Sequence, residues 1–202
     1  MSHLAVMGIP LLGRRCQDGG MKVHEAIDGR LREFIEEQPV FFVATAPSGT
    51  DGHVNVSPKG MRGTFVILGP HRVAWVDFHG SGAETIAHLR QNGRITLMFC
   101  AFAGPPNIVR LHGRGLAVTV EDAGFAERLA DFPDPPDLHS ARAVITVDVE
   151  RISDSCGYAV PLMEYQGDRD LLIRAHSRRT AEDLVTYRAT KNAASIDGLP
   201  VF

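Results

Sequence analysis

Three short segments of this 202-residue chain carry side chains that could hold an anion. The first is Gly80-Ser81-Gly82-Ala83-Glu84-Thr85, a glycine-rich exit from an apolar run that leads into a helical repeat ending near Asn92-Gly93. Free backbone N–H groups and the helix dipole converge at such a helix start, which makes it attractive to phosphates and carboxylates. The same residues have a second use. Ser81 and Glu84 have the S-x-x-E spacing of a capping box, in which each side chain satisfies an orphan N–H of the helix end. Gly80-x-Gly82-x-x-Thr85 also imitates the dinucleotide fingerprint. It departs at the last glycine, and the following strand ends in Phe99-Cys100-Ala101 rather than in an acid.

The second segment is Asn55-Val56-Ser57-Pro58-Lys59-Gly60. Here Lys59 offers a point charge and Ser57 a hydroxyl donor, at a strand end followed by glycine. A solvated turn lysine would look the same, and it is the nearby helix start that favours a shared anion. In the third segment Arg110, His112 and Arg114 alternate on one strand face, with Val109 and Leu111 opposite. That face is either a solvated basic stripe or a set of arms toward an anionic ligand. The nine histidines form no HExxH and no His/Cys cluster with metal spacing, and no G-x-S-x-G elbow occurs.

The elements that must position these residues are mostly strands. Strand-like runs occupy Val40–Ala46, His53–Ser57, Thr64–Leu68, Arg72–Phe78, Arg94–Phe102, Asn107–Val120 and Ala143–Ile152. Pro58-Lys59-Gly60 is expected to end the second run. Gly113 and Gly115 mark bends in the long one. Val23–Glu37 reads as a helix stopped by Pro39, Glu121–Ala130 as a short helix, Asp131–Asp137 as a loop, and Leu171–Thr190 as containing a polar helix. Short strands with close turns predict an antiparallel barrel or sandwich.

Bulk composition narrows the function classes. A net charge of −3 with 22% charged residues gives no basic field for nucleic acid. No apolar run reaches the roughly 20 residues of a membrane span. Three cysteines without CxxC spacing suit a reducing cytoplasm. Residues 1–20 have their arginines after the apolar stretch, the wrong order for a secretory signal, and read as a disordered extension. A domain over 21–155 and a C-terminal segment over 156–202 complete the expected organisation.

Taken in order, these segments resemble the pyridoxamine 5′-phosphate oxidase–like family of FMN-binding split barrels. The resemblance rests on Val40–Ala46, His53–Gly60 with its terminal Lys59, Trp75-Val76-Asp77-Phe78 through Gly80–Thr85, the Asn92-Gly93-Arg94-Ile95 step and the strand Asn107–Leu116. It implies a mainly β fold, a six-stranded antiparallel Greek-key split barrel with peripheral helices. It also implies a homodimer with FMN at the subunit interface and oxidoreductase chemistry on a small molecule. The cofactor residues it implies are Val54, Asn55, Val56, Ser57, Pro58 and Lys59 on the first segment. From the second come Asp77, Phe78, Ser81, Gly82 and Thr85, with Arg110 as a further cation. Where the family carries Ser-Arg-Lys at the helix start this chain has Ala83-Glu84-Thr85. The phosphate is then expected to lean on Lys59, Ser81, Thr85 and Arg110, and Glu84 to turn back into its capping box. A flavin- or haem-holding module without turnover, and a deazaflavin-dependent reductase, share the same barrel and remain as alternatives.

Overall fold

The computed structural model describes residues 21–133 and 138–202. The expectation for residues 1–20, and part of the Asp131–Asp137 loop, lie outside them. Among the described residues, eight strands form one antiparallel sheet. They are β1 (Lys22–His24), β2 (Val40–Thr45), β3 (Asn55–Gly60), β4 (Phe65–Gly69), β5 (Arg72–Phe78), β6 (Arg94–Cys100), β7 (Ile108–Thr119) and β8 (Ala141–Ser155). The order is β3-β2-β6-β7-β8-β5-β4, with β1 paired to the end of β8. All seven strand-like runs form, and β1 brings the count to eight instead of six.

The sheet curls into a half-barrel because its inner face is apolar almost throughout. Phe41, Val43, Leu97, Phe99, Val109, Leu111 and Ile145 are buried on that face, with Trp75 and Ile152 beside them. Curling brings distant strands into ring contact. The Phe41 ring centroid lies 5.0 Å from Phe65, 5.3 Å from Phe99 and 5.8 Å from Trp75, separations at which aromatic pairs attract. The long β7 bends at a bulge between His112 and Gly113. A Cβ on Gly113 would sit 2.0 Å from the Asp148 carbonyl oxygen, so only glycine fits there.

Helix α1 (Gly29–Glu37) starts six residues later than the expected Val23–Glu37. Val23 instead pairs with Ser153 of β8, and Asp28 accepts the Leu31 N–H at 2.8 Å as N-cap. Gln38 is extended at the far end, as a residue before proline must be. Helix α2 (Glu84–Asn92) closes on left-handed Gly93, whose N–H bonds the Leu89 carbonyl. Helix α3 (Phe125–Leu129) is shorter than its expected span. The polar C-terminal helix divides into α4 (Leu171–His176) and α5 (Ala181–Lys191). Thr180 and Asp183 form a capping box that restarts the chain as α5. Beyond α5, Val201 is fully buried in the main core.

Candidate functional site

β3 runs on through Pro58 to Gly60, because an edge strand tolerates a residue without an N–H. Its side chains alternate. Asn55, Ser57 and Lys59 sit opposite Thr45, Val43 and Phe41, on the core side of the sheet. Val54 and Val56 are 71% and 63% exposed, and Pro58 is exposed with them.

Lys59 meets β5 across the opening of the half-barrel. Its Nζ donates to Asp77 Oδ1 at 2.7 Å, and Arg142 Nε of β8 donates to Asp77 Oδ2 at 2.8 Å. Asp77 is 2% exposed. Burial pushes its carboxyl up, but the Lys59 and Arg142 charges and their hydrogen bonds outweigh that and hold it at about 2. One carboxylate between two cations leaves a single net positive charge. Lys59, Asp77, Phe78, His79 and Gly80 line one side of a cavity of about 580 Å³, and Gly167–Arg169 with Leu171 and Leu172 close the other. That volume is in the range of small-molecule sites, about 300–1,000 Å³.

Gly80 leads from this cavity toward the start of α2, whose capping is not the expected one. Ala83 is the N-cap and no side chain caps α2, so the Ser81/Glu84 box does not form. Glu84 accepts the Ile196 N–H at 3.1 Å instead, because the C-terminal stretch supplies a competing donor. Ser81 and Gly82 are exposed in the turn. Asn55 Nδ2 donates to Thr85 Oγ1 and to Thr45 Oγ1, each at 3.2 Å, tying β3 to the first turn of α2. Below them the fully buried His88 contacts Thr45 Oγ1 through Nδ1 at 2.9 Å, and burial pushes its imidazole below the ordinary value. The Ser57 hydroxyl is buried and has no hydrogen-bond partner.

Among the residues singled out in the sequence, Lys59 and Asp77 thus come together, as do Asn55 and Thr85, and Phe78 shares the Lys59 cavity. Arg110 does not join them. It pairs across to Met98, alternating with buried Val109 and Leu111, and donates to Ser155 Oγ at 3.1 Å on the outer face of the sheet. Val54 and Val56 also face outward, whereas Pro58, though exposed, contributes to the lining of the Lys59 cavity. Of the other basic residues on β7, His112 contacts Thr96 Oγ1 at 3.1 Å, and Arg114 bonds Glu150 and the Asn92 carbonyl.

Arg142, Asn192 and Arg188 were not singled out in the sequence. Arg142 left a trace, a lone cation within the otherwise apolar start of a strand, which has to be paired if buried. His79 is 1% exposed. Its Nδ1 donates to the Ser140 carbonyl at 2.9 Å, and its Nε2 accepts from Arg188 at 3.2 Å. An arginine can only donate, which fixes this histidine as the neutral Nδ1–H form. Burial pushes its pKa down to about 4, with the Arg188 and Arg142 charges adding to the effect.

Comparisons with known proteins found the following similarities. The family model described as Pyridoxamine 5'-phosphate oxidase matches residues 27–156. The Pyridoxamine 5'-phosphate oxidase family protein ustO of Aspergillus flavus is 39% identical over 194 residues, covering 88% of this chain and 76% of the relative. A crystal structure of a HupZ variant from Group A Streptococcus superposes with a TM-score of 0.50 at 20% identity, over 63% of this chain and 98% of that one. A pyridoxamine 5'-phosphate oxidase-related, FMN binding protein of Nostoc punctiforme gives 0.41 at 13% identity, over 57% and 73%. With the family model spanning most of the half-barrel and a relative aligned over nearly the whole chain, this protein belongs to the pyridoxamine 5′-phosphate oxidase family.

Proposed function

We propose that the chain is an FMN-dependent oxidoreductase that acts as a homodimer, with Lys59 and the start of α2 receiving the cofactor phosphate. The observation that carries this reading is the Lys59–Asp77–Arg142 group at the cavity. Its net positive charge suits an anion, and Lys59 commits only one of its three N–H donors, to Asp77.

Other residues fit the same group. The Ser57 hydroxyl is a buried polar atom still lacking a partner, a condition that costs about 1–3 kcal/mol unless a ligand relieves it. The Thr85 hydroxyl stands in the first turn of α2, where the helix dipole favours negative charge. Glu84, the carboxylate that would oppose a phosphate there, is drawn off by the Ile196 N–H. FMN, when bound, supplies the hydride or electron chemistry, and the protein supplies placement and electrostatics. Lys59 and Thr85 would bind the phosphate and Asn55 would orient the helix start. Phe78 and the Gly167–Leu172 wall would exclude water.

The homodimer reading draws on the outer face. Val54 and Val56 expose an apolar stripe there, and Arg110 lies on the same side of the sheet. A second copy seated on that face would cover the valines and could use Arg110. No described helix is long and apolar enough to cross a membrane. Cys100 and Cys156 are both unpaired, which fits the cytoplasm.

The test is the absorbance spectrum of the protein as purified, with mass identification of any released cofactor. Oxidised-flavin bands, released FMN, bleaching by a reduced nicotinamide and elution at twice 22.0 kDa are expected. A colourless protein that takes up no FMN on reconstitution overturns the proposal. A haem band or a deazaflavin mass would replace it with one of the alternative cofactors, and tight FMN without turnover by any reductant would reduce it to a carrier.

A further inference from the structure

We infer that Arg142 and Asn192 are positioning residues for the Lys59 cavity. They absorb the charge of Asp77 and the carbonyls of the Gly80–Gly82 turn, so that Lys59 and the turn remain available to a phosphate group. The inference rests on the cofactor reading above and assigns a part of that same site to the C-terminal helix.

The argument begins with what a buried guanidinium requires. Arg142 is 3% exposed, in the apolar start of β8, and such a charge must be paired and fully hydrogen-bonded. Its Nε donates to Asp77 Oδ2 at 2.8 Å. Its Nη1 donates to the Gly80 carbonyl at 3.2 Å and to Asn192 Oδ1 at 3.0 Å, and its Nη2 to the Gly82 carbonyl at 2.6 Å. Every nitrogen of the fork is committed inside the protein, so Arg142 is not the group that meets a ligand.

Its value to the site lies in what it leaves unspent. Asp77 has two oxygens, and Arg142 takes one of them. Without Arg142, Lys59 would be the only described cation neutralising a buried carboxylate, and the pair would carry no net charge. With Arg142 present the cluster is positive, and Lys59, with a side chain 22% exposed, is its accessible member. The same guanidinium engages the carbonyls of Gly80 and Gly82, whose negative ends would otherwise be open to repel a phosphate approaching the turn.

Asn192 completes the brace from the opposite end of the chain. It is fully buried at the C-cap of α5. Its Oδ1 receives Arg142, and its Nδ2 donates to the Gly80 carbonyl at 2.8 Å, a contact 112 residues apart in sequence. One helical turn earlier, Arg188 links α5 to His79, the residue next to Gly80, and to Glu121. Two separate links from the α5 region therefore converge on His79 and Gly80, where the turn begins, while Arg142 alone reaches Gly82. A helix about a hundred residues beyond the turn in sequence thus braces its first residues.

The test compares FMN with riboflavin, which has the same ring and no phosphate, by quenching of flavin fluorescence on the full chain. Asn192→Ala removes one brace and no charge, and Arg142→Met removes the cation. Arg142→Lys keeps the charge but cannot span both carbonyls. FMN affinity is expected to fall roughly tenfold for Asn192→Ala, the effect of one lost hydrogen-bonded brace, and on the order of a hundredfold for Arg142→Met. Arg142→Lys should fall between wild type and Arg142→Met. Riboflavin affinity should change less than about twofold in Asn192→Ala, since the altered contacts serve the phosphate end. Where Arg142→Met fails to fold, Asn192→Ala, checked by thermal melting, carries the test. Equal losses for both flavins, or no loss of FMN affinity, overturn the positioning role while leaving the cofactor reading standing. A wild-type chain that binds neither flavin overturns the cofactor reading itself.

Discussion

Replacing Asp77 with asparagine removes the negative charge between Lys59 and Arg142 while keeping the shape of the side chain. Two effects shape the outcome. Leaving a buried cation uncompensated costs about 3–5 kcal/mol, which should appear at neutral pH as a large fall in stability. The second effect depends on pH. The Asp77 carboxyl is held at about 2 against an ordinary value of 3.8. A folded-state pKa below the unfolded one contributes stability that is present above the unfolded value and lost as pH falls through the folded one. From that shift, Asp77 contributes roughly 2–3 kcal/mol at pH 7, of which roughly 1 kcal/mol is gone by pH 3 and most of the rest by pH 2. The assay is urea unfolding of wild type and Asp77→Asn at pH 7, 5, 3 and 2. The two stabilities should differ most at pH 7 and 5 and converge by about 2 kcal/mol toward pH 2, because the variant has no carboxyl to protonate. Parallel stability curves from pH 5 to pH 2 would refute the reasoning, whatever the difference at neutral pH.

Three further perturbations address other parts of the molecule. His79 is held neutral at about 4 against an ordinary 6.5, so its contribution is present above pH 6.5 and lost as pH falls toward 4. Substituting His79→Gln should flatten the stability curve over that window by up to roughly 3 kcal/mol, and an unchanged slope in urea unfolding would count against the neutral assignment. Gly113→Ala places a methyl group 2.0 Å from the Asp148 carbonyl oxygen at the β7 bulge. It should cost about 2 kcal/mol, a fall of roughly 4–8 °C in melting temperature, and a melting point within a degree of wild type would show that the strand yields there. Thr180→Ala removes one half of the α5 capping box. It should cost about 1 kcal/mol, seen as faster amide exchange in α5 with β8 unaffected.

The strands were legible in the sequence because burial on one face writes itself as alternation. Phe41 and Val43, Val109 and Leu111, and Asn55, Ser57 and Lys59 each show that period directly. The start of α1 was not legible. Val23 fits a helical repeat with Ile27 and Leu31, and its strand partner Ser153 lies far along the chain, where local pattern has no view of it. The capping box at Ser81 and Glu84 fails for the same kind of reason, since the donor that captures Glu84 comes from Ile196. Candidate residues on β3 and β5 could be named from type and spacing alone. Their partners Arg142 and Asn192 reach the site only through tertiary folding, and an asparagine at a helix end carries no local sign that it will meet Gly80.

The position of β8 within the sheet has a consequence for how this protein is made. Strands β3, β2, β6 and β7 lie on one side of it, and β5 and β4 on the other. Remove β8 and the sheet falls into two ribbons with no pairing between them. A nascent chain emerging from the ribosome therefore carries two unsatisfied edges until Ser155 has cleared the exit tunnel. Such late, non-local closure is slow and exposes aggregation-prone surface. Truncations that stop before β8 should accumulate as chaperone-bound or insoluble fragments rather than as smaller folded domains.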